Sequence, residues 1–216
     1  MTKLNSTTAI LSDLDGVILD LNYDMRFWKD WLPDTLALET GKSSAEVKAD
    51  IKSMMGEQEA SLNWYDLNYW DELLGIDSLE IIKNQEERCS FLKGSEEALK
   101  KISSLSNPKY ILTNGDPRLF DFKSESANFL DYFDSHICSM HLGYAKEQKE
   151  FWTLASRYLK VDLRHSIFID DSFKVVNSAV NAGVGQVYWI NPGRKKILSN
   201  GVITYPNLAE LVDAII

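Results

Sequence analysis

The chain has 216 residues, 44% of them hydrophobic and 25% charged, the composition of a folded domain with a full core and not of a disordered segment. Its net charge of −9 and pI of about 4.9 give no sign of the basic face on which binding to long nucleic acid usually depends. A small phosphorylated ligand remains compatible with that charge, because a bound cation supplies positive charge locally. Cys89 and Cys138 stand far apart without a CxxC spacing and read as two buried or half-buried thiols of a reducing compartment. The first apolar run, Ala9-Ile10-Leu11, is broken at once by Ser12 and Asp13, too soon for a signal peptide, and no stretch reaches the length of a membrane span. A cytoplasmic protein without a membrane partner is the expectation.

The segment Ala9 to Leu14 is short and apolar and runs into Asp15-Gly16, which predicts a buried strand ending in a turn. From about Asp24 to Ile82 aromatic and charged residues recur at helical spacing, with breakers expected at Pro33, Gly41, Gly56 and Gly75. Within that block Ser43 followed by Glu46 fits a capping box. After Gly94 the pattern alternates. Helices are predicted over 95–105, 119–129, 149–158, 172–182 and 208–215, and strands over 109–113, 136–139, 166–169 and 185–190. The stretch 191–205 reads as a polar surface loop. Alternating strands and helices with short links predict an α/β fold with a Rossmann-like parallel sheet, helices covering both faces. The helical block between the first and second strands reads as an insertion.

In an open parallel sheet ligands bind beyond the carboxyl ends of the strands. Asp13 and Asp15 follow the first predicted strand, Thr113 and Asn114 the second, Lys146 the third across a short loop, and Asp170 and Asp171 the fourth. Crowded carboxylates repel one another unless something positive lies between them, and hard oxygen ligands favour magnesium. A turn or helix-cap role explains any one of these aspartates, but not the ordered set. The set meets the demands of phosphoryl transfer. A carboxylate at Asp13 attacks phosphorus. Lys146 and Thr113 bind phosphoryl oxygens. Asp15 is placed to protonate the leaving oxygen and later to deprotonate water. Lys149 is a rival cation, but its position inside the predicted helix favours Lys146.

Asp13-Leu14-Asp15-Gly16-Val17, Leu112-Thr113-Asn114, Gly143-Tyr144-Ala145-Lys146 and Phe168-Ile169-Asp170-Asp171-Ser172 resemble, in order, the four motifs of the haloacid dehalogenase-like (HAD) hydrolase superfamily. The resemblance implies a core of residues 1–18 and 93–216 and an inserted helical cap of residues 19–92. It implies Asp13 as nucleophile, Asp15 as acid/base, and phosphate binding by Thr113, Asn114 and Lys146. Mg2+ would be held by Asp13, Asp15 through its main-chain carbonyl, Asp170 and Asp171, with direct and water-mediated roles within the last pair left open. Val17 stands where many members have Thr, and Glu147 where Pro is frequent. Dehalogenase members lack the second aspartate of Asp13-x-Asp15.

Leu19-Asp20-Leu21, Phe27-Trp28, Leu62-Asn63-Trp64-Tyr65, Tyr69-Trp70 and Leu74-Gly75 are further similar to the cap of bacterial GMP/IMP-type 5′-nucleotidases of this superfamily. That similarity implies a purine nucleoside monophosphate as substrate. Trp28, Trp64, Tyr65, Tyr69 and Trp70 are candidates for stacking on a base, although aromatics at helical spacing are packed as cap core far more often than they bind ligand. Asn22 and Arg26 are near enough in sequence to the catalytic loop to be candidate substrate contacts. A sugar phosphate or other phosphometabolite is the alternative substrate. A receiver-like signalling domain shares the acidic cluster, Thr and Lys, but its phosphoacceptor follows the third strand and it has no insertion of this size.

Overall fold

A computed structural model describes residues 4–5, 7–59, 61–192 and 200–216. Its strands are β1 (Ala9–Ser12), β2 (Lys109–Thr113), β3 (Ser135–Cys138), β4 (Ser166–Asp170), β5 (Gln186–Ile190) and β6 (Ile203–Tyr205). They form one sheet in the order β3-β2-β1-β4-β5-β6, with every neighbouring pair parallel. Central β1 is buried at every residue, as a parallel strand covered on both faces must be. Its side chains alternate between two cores. Ile10 joins Ile111, Ile167 and Ile169 on one face, while Leu11 joins Leu112, Phe168 and Val187 on the other.

The helices α6 (Ser95–Ser103), α7 (Pro117–Ala127) and α10 (Leu208–Ile215) cover the Ile10 face, through residues such as Leu99, Phe120 and Leu211. The helices α8 (Lys149–Leu159) and α9 (Phe173–Asn181) cover the Leu11 face through Trp152, Ala155 and Val176. Strand order reverses direction at β1, so the carboxyl ends of β1, β2 and β4 border the crevice where such sheets bind ligands.

Between β1 and α6 the described residues build α1 (Asn22–Arg26), α2 (Leu32–Thr40), α3 (Ser44–Glu57), α4 (Leu67–Leu74) and α5 (Ser78–Lys83). A π-helical turn, Phe27–Trp31, joins α1 to α2 without a break. The expected capping box is present at α3: the Glu46 N–H donates to Ser43 Oγ at 3.3 Å, and the Ser43 N–H donates to Glu46 Oε2 at 2.9 Å. Gly41 and Gly75 end α2 and α4 with φ of +71° and +70°. The other two expected breakers do not break. Pro33 is the second residue of α2, directly after the π-helical turn, and the helix runs on through it, while Gly56 lies inside the last turn of α3.

The stretch 191–205 is not wholly a loop. Its last residues form β6 on the sheet edge beside β5, with Thr204 and Tyr205 buried. Three residues are too few to show an alternating pattern. Residues 193–199 of that stretch lie outside the described residues.

Gly185 leads into β5 with its N–H donating to the Leu163 carbonyl at 2.8 Å. A Cβ there would stand 2.1 Å from the Arg164 carbonyl oxygen. Backbone, unlike a side-chain tip, cannot swing aside. Gly185→Ala is therefore expected to destabilise the fold by about 1–3 kcal/mol, a fall of roughly 2–12 °C in Tm by calorimetry. An unchanged Tm would show that the α8–β4 connection yields freely.

Candidate active site

The carboxyl end of β1 is extended by one further bond, from the Asp13 N–H to the Ile169 carbonyl at 2.8 Å. That bond fixes where the Asp13 carboxylate leaves the sheet. The chain then turns at Gly16, whose φ is +80°. A Cβ on Gly16 would lie 2.1 Å from Asp171 Oδ2. Glycine is thus required here twice, by backbone conformation and by the carboxylate arriving from β4.

Lys146 is the cation of the site. It is 2% exposed, and its Nζ donates to Asp13 Oδ1 at 2.7 Å, Asp170 Oδ2 at 2.8 Å and the Leu112 carbonyl at 3.0 Å. These three bonds use all the donors an ammonium has. Lys149, the rival cation, is exposed on α8. Asn114 braces the Lys146 loop. Its Oδ1 accepts from the Lys146 N–H at 2.9 Å, and its Nδ2 donates to Glu147 Oε2 at 2.9 Å. Both ends of the amide are thus engaged within the protein. Thr113 is buried beside it, and its Oγ accepts from the Gly115 N–H at 2.9 Å.

Carboxylate oxygens of Asp13, Asp170 and Asp171 lie within 4.8 Å of one another. One ammonium does not neutralise them. Burial, with Asp170 and Asp15 nearby, raises Asp13 to about 8 despite the Lys146 contact. Burial and the Asp13 charge raise Asp171 to about 7. Burial and Asp171 raise Asp170 to about 6, again against the pull of Lys146. For Lys146, burial acts downward, but Asp13 and Asp170 outweigh it and hold the ammonium above the ordinary lysine value. This surplus of buried, proton-seeking oxygen is the donor set a hard divalent cation takes.

Asp15 has a different partner. Its Oδ1 accepts from Lys123 Nζ at 2.7 Å, and the same ammonium donates to Asp24 Oδ2 at 2.5 Å. Lys123 was not foreseen as part of the site. The sequence signal was a lysine three residues after Phe120, on what becomes the buried face of α7.

Above these groups opens a cavity of about 1000 Å3, lined at its floor by Asp13, Asp15, Thr113, Asn114, Lys146, Asp170 and Asp171. Trp28, Trp64 and Tyr65 line its walls. The Tyr65 hydroxyl donates to Glu147 Oε1 at 2.7 Å, so the residue standing where proline was expected links the helical block to the Lys146 loop. Trp70 is buried, edge-on to Trp28 and Tyr69, and serves as core. Asn22 and Arg26 do not line the cavity. They are one helical turn apart on the outer face of α1, while Asp24, Met25 and Trp28 point inward. Arg26 pairs instead with Glu87 and lies 5.4 Å from the Trp31 ring centroid.

A parallel α/β sheet with a carboxylate cluster, a buried lysine and a hydroxyl gathered at one edge points to a hydrolase. The family model for haloacid dehalogenase-like hydrolases matches residues 7–183, and the chain belongs to that family. It is 26% identical over 176 residues, 82% of this chain and 79% of the other, to the GMP/IMP nucleotidase YrfG of Escherichia coli. Its fold is similar to that of a HAD phosphatase from Thermococcus onnurineus, with a TM-score of 0.81 and 23% identity over 96% of this chain and 97% of that one. An L-2-haloacid dehalogenase from Xanthobacter autotrophicus is more distant, with a TM-score of 0.63 and 16% identity over 97% of this chain and 98% of that one. Among the described residues no helix is long and apolar enough to cross a membrane.

Gly16 provides a test of the cation site. Gly16→Ala drives a Cβ into the Asp171 carboxylate and strains the turn. Magnesium affinity in titration calorimetry is expected to fall roughly 10–100-fold, as when a ligand loses its support. Unchanged affinity would mean that Asp171 is not a ligand.

Proposed function

We propose that the chain is a magnesium-dependent phosphatase of nucleoside 5′-monophosphates, purine nucleotides preferred, working through an aspartyl-phosphate on Asp13. The observation that carries the reading is the buried contact of Asp13 with Lys146 beside Asp170 and Asp171, on the floor of an aromatic-walled cavity.

Asp13, Asp170 and Asp171, with the main-chain carbonyl of Asp15, would hold magnesium. Bound there, the ion supplies positive charge against which a phosphate dianion can approach carboxylates. Lys146 fixes Asp13 Oδ1, which leaves the second Asp13 oxygen to attack phosphorus. The Thr113 hydroxyl and the backbone N–H groups that follow it bind phosphoryl oxygens. Asp15 gives a proton to the departing alkoxide, then takes one from the water that cleaves the acyl phosphate. An enzyme lacking that second aspartate has no acid for so poor a leaving group, which sets this site apart from dehalogenase chemistry.

Support for the substrate comes from the cavity and from the similar protein. A volume of about 1000 Å3 has room for a nucleoside beyond the phosphate. Trp28, Trp64 and Tyr65 offer flat surfaces, and stacking on a base contributes about 1–3 kcal/mol. The E. coli protein similar to this chain is a GMP/IMP nucleotidase.

A phosphate-release screen over purine monophosphates, pyrimidine monophosphates and sugar phosphates, with and without magnesium, tests the proposal. Fastest turnover of GMP or IMP, lost on chelation, is the expected result, and a sugar phosphate preferred over both would reject the nucleotide reading. Asp13→Asn is expected to reduce turnover to background with the circular dichroism spectrum unchanged. Retained turnover would remove Asp13 from the nucleophile's role.

A further inference from the structure

We propose that Lys123 is a positioning residue, one that pins an oxygen of Asp15 against the first helix of the inserted block so that the other oxygen faces the leaving group. The inference rests on the reading of Asp15 as the acid/base.

The geometry comes from α7. Asp116 caps its start by accepting from the Arg118 N–H at 2.8 Å, and the helix then turns Phe120 and Lys123 to the buried side. Lys123 is 2% exposed. A lysine so deep loses rotamer freedom and hydration. Replacing such a buried ion network by apolar side chains is often neutral or stabilising. A buried ion network is thus weak evidence for a purely stabilising role, and the contact with Asp15 gives this lysine another one.

Among the described residues Lys123 is the one cation within 4.0 Å of the Asp15 carboxylate. Lys146 cannot substitute, because its three donors are taken by Asp13, Asp170 and Leu112. Lys123 takes Asp15 Oδ1, and Oδ2 is left on the Thr113 side. A Cβ on Gly115 would be 3.1 Å from Thr113 Oγ1 and 3.8 Å from Asp15 Oδ2, so both atoms border the same point at the cavity floor. A carboxylate with one oxygen anchored and the other free there is oriented for proton transfer to a leaving oxygen. Asp24, the second acceptor, sits in α1 and also lines the cavity. One ammonium thus ties the Asp15 loop to the helical block.

The test compares kcat/KM for GMP and for p-nitrophenyl phosphate, a quantity that covers the steps up to leaving-group departure. A nucleoside alkoxide needs a proton to leave; p-nitrophenolate does not. Lys123→Met is expected to lower kcat/KM for GMP roughly a hundredfold and that for p-nitrophenyl phosphate far less. Equal losses on both esters would assign Lys123 a structural role and overturn the proposal. Should the single variant not fold, Lys123→Met/Asp24→Asn, which removes one of the two stranded carboxylates, is judged by the same ratio. Wild-type protein that hydrolyses neither ester, or Asp13→Asn that keeps hydrolysing both, would overturn the parent reading and this inference with it. Wild-type turnover that depends on Asp13, together with equal losses in the lysine variant, would sink the Lys123 role alone.

Discussion

Two aspartates, Asp13 and Asp170, share one buried ammonium at the edge of the sheet with a third, Asp171, beside them, and the surrounding structure is organised by that shortage of positive charge. Carboxylates so placed repel one another and lose hydration. They are held together by the strand register that sets β1 against β4, by the bond from Asp13 to the Ile169 carbonyl, and by a glycine that leaves room for Asp171. Removing Lys146 would strand buried charge at a cost of about 3–5 kcal/mol, so the lysine is bound up with stability as well as chemistry. In an acidic protein with a net charge of −9, what a small anion meets is the local field at the cavity floor, where Lys146 lies, and not the total charge.

The helical block meets this floor through polar contacts. Tyr65 reaches Glu147, the Leu67 N–H donates to Asp116 Oδ2 at 2.9 Å, Arg118 pairs with Asp71 at 3.1 Å, and Glu59 pairs with Lys174. Each joins a residue of the segment between β1 and α6 to the sheet's carboxyl edge or a helix that starts there. They border the cavity, while the apolar core on the Ile10 face of the sheet continues into the helical block through residues such as Tyr23, Phe27 and Leu67.

Much of this arrangement is legible in the sequence, because it is local. Buried strands announce themselves as short apolar runs ended by Asp-Gly, Asn-Gly or Asp-Asp, and the Ser43–Glu46 box marks a helix start by spacing alone. The residues after those runs gather because parallel topology sends every strand's carboxyl end to one edge. What the sequence conceals is set by packing between elements. Lys123 looks like any helical lysine until α7 docks with it inward. Asn22 and Arg26 are close to the catalytic loop in number but point outward once α1 winds. Strand β6 is too short to carry a pattern, and its place is fixed by pairing with β5. Asn114 presents a polar side chain at a strand end, and only the fold shows most of that side chain committed to the Lys146 loop.

The central claim is that the surplus oxygen of Asp13, Asp170 and Asp171 belongs to a single divalent cation. Anomalous diffraction from a crystal soaked in manganese, as a surrogate for magnesium, addresses it directly. One peak in direct contact with the carboxylates of Asp13 and Asp171 is the outcome this account requires. A site left empty by manganese, with the aspartates spread apart or the metal seated elsewhere, would contradict it.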